Sequence, residues 1–96
     1  REEKRLMPQL FRYLGYCIYF WSNENQEPLH IHVCKGKPTA NATKIWILEN
    51  GTPLLQSNSS RIPSSDLSKI YAFIKTNEAF IKIRWNEMFG YLKYYS

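Results

Sequence analysis

The 96-residue sequence lacks the hallmarks of several large functional classes. No apolar run approaches the roughly 18 residues that a membrane-spanning helix needs, so we expect no membrane partner. There is no glycine-rich phosphate loop, no dinucleotide fingerprint and no nucleophile elbow. These absences argue against the common nucleotide-binding and serine-hydrolase architectures, and the sequence implies no cofactor.

Cysteine is also scarce, with Cys17 and Cys34 in separate apolar runs and no CxxC pair. This pattern favours two reduced, buried thiols, and a single disulfide in a secreted domain is the alternative. Because no secretory segment precedes them, we expect a cytoplasmic protein.

The remaining composition indicates one small folded domain. Apolar residues make up 44% of the chain and aromatic residues 16%, which is too hydrophobic for a disordered segment. The first six residues, REEKRL, are charged and patternless, so we predict an extension at 1–6 and a single domain at 7–96. From Met7 onward ten Lys and Arg face six Asp and Glu, a basic excess that weakly favours an acidic partner but also suits plain solubility.

Alternating and continuous apolar runs predict a sheet in the first two thirds of the chain. A turn at Ser22–Asn25 and the Asn50-Gly51 hairpin signal separate some of the strands. The predicted strands are Gln9–Leu14, Tyr16–Trp21, Leu29–Lys35, Ala42–Glu49 and Pro53–Gln56.

Two helices are predicted after the strands. Ser64 or Ser65 is the expected N-cap of the first, and Asn77 that of the second, which Gly90 ends. The predicted buried stripes are Leu67, Ile70, Tyr71 and Ile74, then Ile81, Trp85, Met88 and Phe89. Strands followed by helices predict an α+β fold: an antiparallel sheet of four to five strands with both helices packed on one face.

The most distinctive local pattern is His30-Ile31-His32 in the third strand. Because side chains alternate along a strand, both imidazoles should share one face while Ile31 and Val33 face the core. With Glu27 nearby, the pair is the candidate catalytic set for acid–base chemistry. Two histidines do not complete a zinc site, so no metal is predicted, and an exposed pair that holds the preceding loop is the alternative.

Basic residues cluster around the same strands. Lys35, Lys37, Lys44 and Arg12 are the candidate phosphate- or anion-binding residues of a basic sheet face. Three tyrosines, Tyr13, Tyr16 and Tyr19, could add stacking surfaces for a single-stranded nucleic acid. An ordinary solvated face over core aromatics explains the same pattern.

Several short motifs occur along the chain in this order: Ser22-Asn23-Glu24, Glu27-Pro28, His30-Ile31-His32-Val33, Thr43-Lys44-Ile45-Trp46, the stretch from Asp66 to Asn77, and Trp85-Asn86-Glu87-Met88-Phe89-Gly90. Together they resemble a bacterial family of domains of unknown function. The resemblance spans about Met7 to Gly90. It departs from the family at Leu29, where a second proline is usual, and at Thr43, where alanine is usual.

The resemblance implies a small protein that is often encoded beside another, in pairs suspected of being toxin–antitoxin modules. Our first hypothesis is therefore an interaction or regulatory module that binds a small protein encoded alongside. The alternative is a nucleic-acid-acting, endoribonuclease-like enzyme that uses His30 or His32 with the basic residues. The sequence leaves the oligomeric state open.

Overall fold

Each strand of the sheet pairs with the strand that follows it in the chain. The computed structural model describes residues 9–22 and 26–96 and shows a five-stranded antiparallel sheet in the order β1-β2-β3-β4-β5, followed by two helices. The predicted α+β fold is confirmed. The predicted boundary between 1–6 and 7–96, and most of the turn at Ser22–Asn25, lie outside the described residues. The elements are β1 Gln9–Tyr13, β2 Tyr16–Tyr19, β3 His30–Lys35, β4 Thr43–Ile47, β5 Pro53–Ser57, α1 Ser64–Thr76 and α2 Glu78–Phe89.

The two faces of the sheet are packed against different parts of the chain. On the helix face, the apolar side chains of β2, β3 and β4 pack with those of α1 and α2 into the main core. On the opposite side, which we call the loop face, a smaller cluster contains Cys17, Tyr19, Cys34 and Ala42. Burial on both faces explains why all four residues of β2 are apolar or aromatic and buried.

The β3–β4 loop covers part of the loop face. The Tyr19 hydroxyl donates to the Thr39 carbonyl at 3.1 Å and accepts from the Thr39 amide at 3.3 Å. These two bonds hold the loop over β2. Tyr19 is consequently buried rather than displayed.

The β4–β5 hairpin forms at the predicted Asn50-Gly51 pair. The Leu48 amide donates to the Thr52 carbonyl at 2.9 Å, and Gly51 has a φ of +87°. A side chain at Gly51 would be strained in this conformation, and its Cβ would lie 2.6 Å from Cδ of Glu78. Glycine here lets the hairpin approach the first turn of α2.

The helices begin and end close to the predicted residues, but the predicted side-chain caps do not form. Pro63 occupies the N-cap position of α1 without a side-chain cap bond, so the predicted cap by Ser64 or Ser65 is wrong. Asn77 does occupy the N-cap position of α2, but its side-chain amide donates to the Phe73 carbonyl at 2.8 Å and so satisfies the end of α1. Gly90, with a φ of 79°, ends α2 as predicted.

The predicted helix stripes are largely confirmed. Leu67, Ile70 and Ile74 are buried in α1, as are Ile81 and Trp85 in α2. Tyr71 and Phe89 are only half-buried but pack against the core. Met88 is 37% exposed, so its predicted place in the core is wrong.

The segment after α2 crosses from the helix side to the loop face. The Leu29 amide donates to the Lys93 carbonyl at 2.7 Å, and the Tyr95 ring stacks on Trp46 with centroids 4.7 Å apart. These contacts close the end of the sheet where β3 begins. Across residues 9–22 and 26–96, neither helix has the length and apolar character needed to cross a bilayer.

Candidate functional site

His30 is a buried residue at the start of β3. Its ring is fully buried, and its centroid lies 5.7 Å from that of Trp46 on β4 and 5.2 Å from that of Trp85 on α2. Its Nδ1 is 2.9 Å from the Pro28 carbonyl oxygen. Because a carbonyl can only accept, Nδ1 carries the proton of this hydrogen bond. His30 therefore ties the segment before β3 to the core, and no substrate reaches it in this conformation.

His32 shares the loop face with His30, as the alternation predicts. The two ring centroids are 5.1 Å apart, while Ile31 and Val33 lie in the core on the helix face. His32 is half-buried rather than buried. Of the two predicted catalytic histidines, the structure leaves only His32 accessible.

The neighbours of His32 include two other predicted site residues. Its register partners are Tyr19 on β2 and Lys44 on β4, and the Tyr19 ring stacks with it at a centroid distance of 5.5 Å. Lys44 Nζ donates to Glu27 Oε1 at 2.7 Å and lies 4.6 Å from the Trp46 ring centroid. We call His32, Lys44 and Glu27 the His32 cluster. An imidazole beside an ion pair has the donor and acceptor atoms that acid–base chemistry needs, but the Lys44 ammonium is already paired with the Glu27 carboxylate.

The other predicted basic residues do not join this cluster. Lys35 pairs with Tyr16 in the register and its Nζ lies 4.8 Å from the Tyr16 ring centroid, on the helix side of β3. Arg12 lies on the loop face but on β1, two strands from β3, where its Nη1 donates to the Gly36 carbonyl at 3.1 Å. Lys37 is exposed in the β3–β4 loop. The structure therefore does not assemble the basic face that the sequence suggested.

The tyrosines considered as stacking surfaces serve the core instead. Tyr13 stacks on Phe73 of α1 with centroids 4.1 Å apart, and Tyr16 and Tyr19 are buried. The Tyr16 hydroxyl donates to Asp66 Oδ2 at 2.6 Å. Burial, together with this carboxylate, raises the pKa of Tyr16 to about 12. Burial likewise raises the pKa of Tyr19 well above its ordinary value.

No cluster of metal ligands accompanies the histidines within the described ranges. Two other glutamates, Glu87 and Glu49, contact basic residues of α2. Glu87 Oε1 is 3.4 Å from Arg84 Nε on α2, and the Glu49 carbonyl accepts from Lys82 at 2.8 Å. Over residues 9–22 and 26–96, no three His, Cys, Asp or Glu side chains are grouped so as to hold a metal ion.

Residues 15–86 match the family described as a domain of unknown function, DUF4160, which is more than half of the chain. The chain belongs to this family. The match runs from the β1–β2 turn into α2 and includes every predicted site residue except Arg12. Comparison with curated proteins and with solved structures gives no match.

The DUF4160 domain has a second noteworthy surface at the β5 edge, which the sequence reasoning did not single out. β5 pairs only with β4 in the described sheet, so its outer side is open. Leu54 is 42% exposed and Leu55 37%, and no charged residue occurs in Pro53–Ser57. We call β5 with Trp46 and Tyr95 the β5 surface. The available sequence signal was a Leu-Leu pair without charge in a predicted edge strand.

The two leucines flank the sheet edge from opposite faces. Leu55 is the register partner of Ile45, which lies on the helix face. Leu54 is the partner of Trp46, which Tyr95 covers on the loop face. Tyr95 is itself 44% exposed, so an aromatic–apolar patch continues inward from the edge.

The outward side of α2 is also apolar in part. Phe80 is 42% exposed and Ile83 56%, while the opposite side of the same helix buries Ile81 and Trp85. The Phe80 ring lies 5.4 Å from that of Phe11 on β1 and so rests against the opposite edge of the sheet. This helix side offers side-chain contacts but no unpaired backbone groups.

Proposed function

We propose that this DUF4160 domain is a protein-interaction module that binds a partner by adding a strand of that partner to β5. The observation that carries the proposal is the open, uncharged edge of β5 with two exposed leucines. An edge strand presents a row of backbone donors and acceptors, and proteins usually protect such edges with lysines, prolines or bulges. Pro53 stands at the first position of β5, and a register shift opposite Lys44 and Ile45 falls at Gln56. The unprotected part of the edge is therefore Leu54 and Leu55, which pair regularly with Trp46 and Ile45.

Strand addition would bring backbone hydrogen bonds and side-chain contacts at once. Backbone hydrogen bonds to β5 supply affinity, and alternate side chains of the incoming strand supply specificity. An apolar residue on one side would meet Leu55, and one on the other side would meet Leu54 beside Tyr95. The partner segment is therefore extended, with apolar residues at alternating or adjacent positions.

Charge indicates the type of partner. The chain has a formal charge of +5, so a second copy would approach against the repulsion of its own charge. An acidic protein is attracted by the same field, which raises the rate of encounter. The resemblance of the motifs to a family of paired small proteins makes the protein encoded alongside the first candidate, in a regulatory, toxin–antitoxin-like pair.

Co-expression with the protein encoded next to this chain, followed by calorimetric titration of the purified components, tests the proposal. We expect Leu54→Lys and Leu55→Lys each to weaken binding by about tenfold or more, because each puts a charge on an apolar contact. Leu14→Lys is the matched control, since Leu14 is 49% exposed in the β1–β2 turn beside the other edge of the sheet. Equal affinity of the β5 variants and wild type, or no complex at all, would refute it.

Self-association is a separate outcome with its own readout. Light scattering over a concentration series should give a monomer for the isolated chain. A wild-type dimer that becomes a monomer in Leu54→Lys would show that β5 binds a second copy of the chain. That result would contradict the proposal of an acidic partner.

A nucleic-acid-cleaving enzyme is the second candidate, and the His32 cluster is the observation that favours it. His32 would act as acid or base, with Lys44 released from Glu27 to contact phosphate. RNA cleavage by the purified chain that is lost in His32→Ala, at unchanged stability, supports this reading. Cleavage that is absent, or unchanged in His32→Ala, eliminates it.

A further inference from the structure

Cys17 and Cys34 lie directly opposite each other on the neighbouring strands β2 and β3. They are register partners on β2 and β3, both belong to the loop-face cluster, and both are free thiols. Directly opposed residues of an antiparallel pair have Cα atoms about 4.5–5.5 Å apart. Disulfides span Cα separations of about 4.4–6.8 Å, so directly opposed positions such as these two lie within the range that a disulfide can bridge.

We propose that Cys17 and Cys34 form a reversible intramolecular disulfide, so that this pair is a redox-modification site. The oxidant is a small-molecule disulfide such as oxidised glutathione. One cysteine thiolate attacks the reagent, forms a mixed disulfide and releases one reagent thiol. The second cysteine thiolate then attacks the protein-side sulfur, which forms the Cys17–Cys34 bond and releases the second thiol. Two protein thiols are oxidised, one reagent disulfide is reduced, and the two cysteine protons end on the two reagent thiols.

Burial controls access to the pair. Cys17 is fully buried and Cys34 is 3% exposed, and burial raises the pKa of the Cys17 thiol. The Cys17 thiol donates to Gln9 Oε1 at 3.0 Å, and Gln9 begins the edge strand β1 beside a register shift. Edge strands with irregular pairing open locally more easily than central strands. Opening of β1 therefore gives the oxidant its path to Cys17.

Oxidation would also alter the loop face. The Cys34 thiol donates to the Lys37 carbonyl at 3.0 Å, in the loop that Tyr19 holds through Thr39. A disulfide sulfur has no proton to donate, so this contact is lost when the bond forms. We expect faster hydrogen exchange at the Thr39 amide in the oxidised protein.

The test is incubation of the folded wild-type chain with oxidised glutathione, followed by denaturation, trapping with N-ethylmaleimide and peptide mass spectrometry. The expected result is a linked peptide pair containing Cys17 and Cys34, with both labelled thiols lost together and restored by reduced glutathione. Two thiols that stay labelled, glutathione left on separate cysteines, or a bond between two chains would each overturn the proposal.

Single-cysteine variants supply the control. In Cys17→Ser or Cys34→Ser the linked peptide must vanish, and accelerated exchange at Thr39 must vanish with it. Since replacing a buried thiol can unfold a small domain, the wild-type experiment is decisive without them, with circular dichroism before and after oxidation confirming that the fold persists.

Discussion

Replacing His30 with alanine should destabilise the domain strongly, because the structure assigns this histidine to the core. The imidazole is fully buried between Trp46 and Trp85, and its Nδ1 donates to the Pro28 carbonyl. Truncating a large buried side chain costs roughly 2–5 kcal/mol, and leaving a buried carbonyl without its donor costs about 1–3 kcal/mol when water cannot replace it. Since the two costs overlap, we expect a loss of about 2–4 kcal/mol.

That loss is a large share of the roughly 5–15 kcal/mol that stabilises a domain of this size. Each kcal/mol lowers the melting temperature of such a domain by about 4–8 °C, so His30→Ala should melt at least ~8 °C below wild type. Urea denaturation followed by circular dichroism measures the free energy of unfolding. His32→Ala is the matched control, and its half-buried ring predicts a loss of about 1 kcal/mol or less. A His30→Ala variant within ~0.5 kcal/mol of wild type would refute the core role of His30.

Two further substitutions test the packing that positions the β5 hairpin and α1. Gly51→Ala should lower the free energy of unfolding by more than Gly36→Ala. Both residues have a positive φ, which costs an alanine about 1–2 kcal/mol. A Cβ at Gly51 also meets the Glu78 side chain, whereas a Cβ at Gly36 meets nothing within 4 Å. Equal losses in thermal melts would contradict the expected cost of displacing the Glu78 carboxylate from its ion pair with Lys82. For Tyr16, whose pKa is raised to about 12, the folded state holds the proton more tightly than the unfolded chain. The stabilising contribution of Tyr16 is therefore complete below pH ~10 and is lost as the pH rises towards 12. Tyr16→Phe loses the hydrogen bond to Asp66, so the free energy of unfolding of this variant, measured by urea titration, should fall less steeply at alkaline pH than that of wild type. Parallel alkaline profiles for the two proteins would exclude this assignment.

Local patterns were sufficient to predict most of the fold. The six-residue apolar run at Tyr16–Trp21 indicates a strand buried on both faces, and Asn50-Gly51 and Gly90 mark a hairpin and a helix end through backbone conformations that glycine adopts readily. The N-cap of α1 was not predictable in the same way. Ser64 and Ser65 are adjacent cap-forming residues, yet α1 begins earlier than either would set, with Pro63 at the N-cap position and no side-chain cap bond.

The candidate site was predicted only in part. Alternation along β3 correctly placed His30 and His32 on one face, and the same alternation puts Lys35 on the other, so the signal for Lys35 was present in the sequence. The burial of His30 depends on Trp85, which is distant in the chain and reaches it only through the fold. The bond between Lys44 and Glu27 is equally non-local.

The exposure of β5 depended on the order of the strands. The sequence reasoning expected residues 53–56 as a short edge strand, and the observed order β1-β2-β3-β4-β5 confirms that position; the exposure of the two leucines at this edge was not predicted. Met88 illustrates the same dependence in α2: it lies on the helical face of Ile81 and Trp85, at i+7 and i+3, yet is 37% exposed, so the helical period alone did not decide its burial.

Hydrogen exchange on the complex with the protein encoded alongside tests the central claim most directly. If a partner strand adds to β5, the outward-facing backbone amides among residues 54–57 should exchange at least about tenfold more slowly in the complex than in the free chain, because they become hydrogen-bonded to the partner. Exchange that is unchanged across Pro53–Ser57, with slowing confined to the side of α2 that carries Phe80 and Ile83, would contradict binding by strand addition.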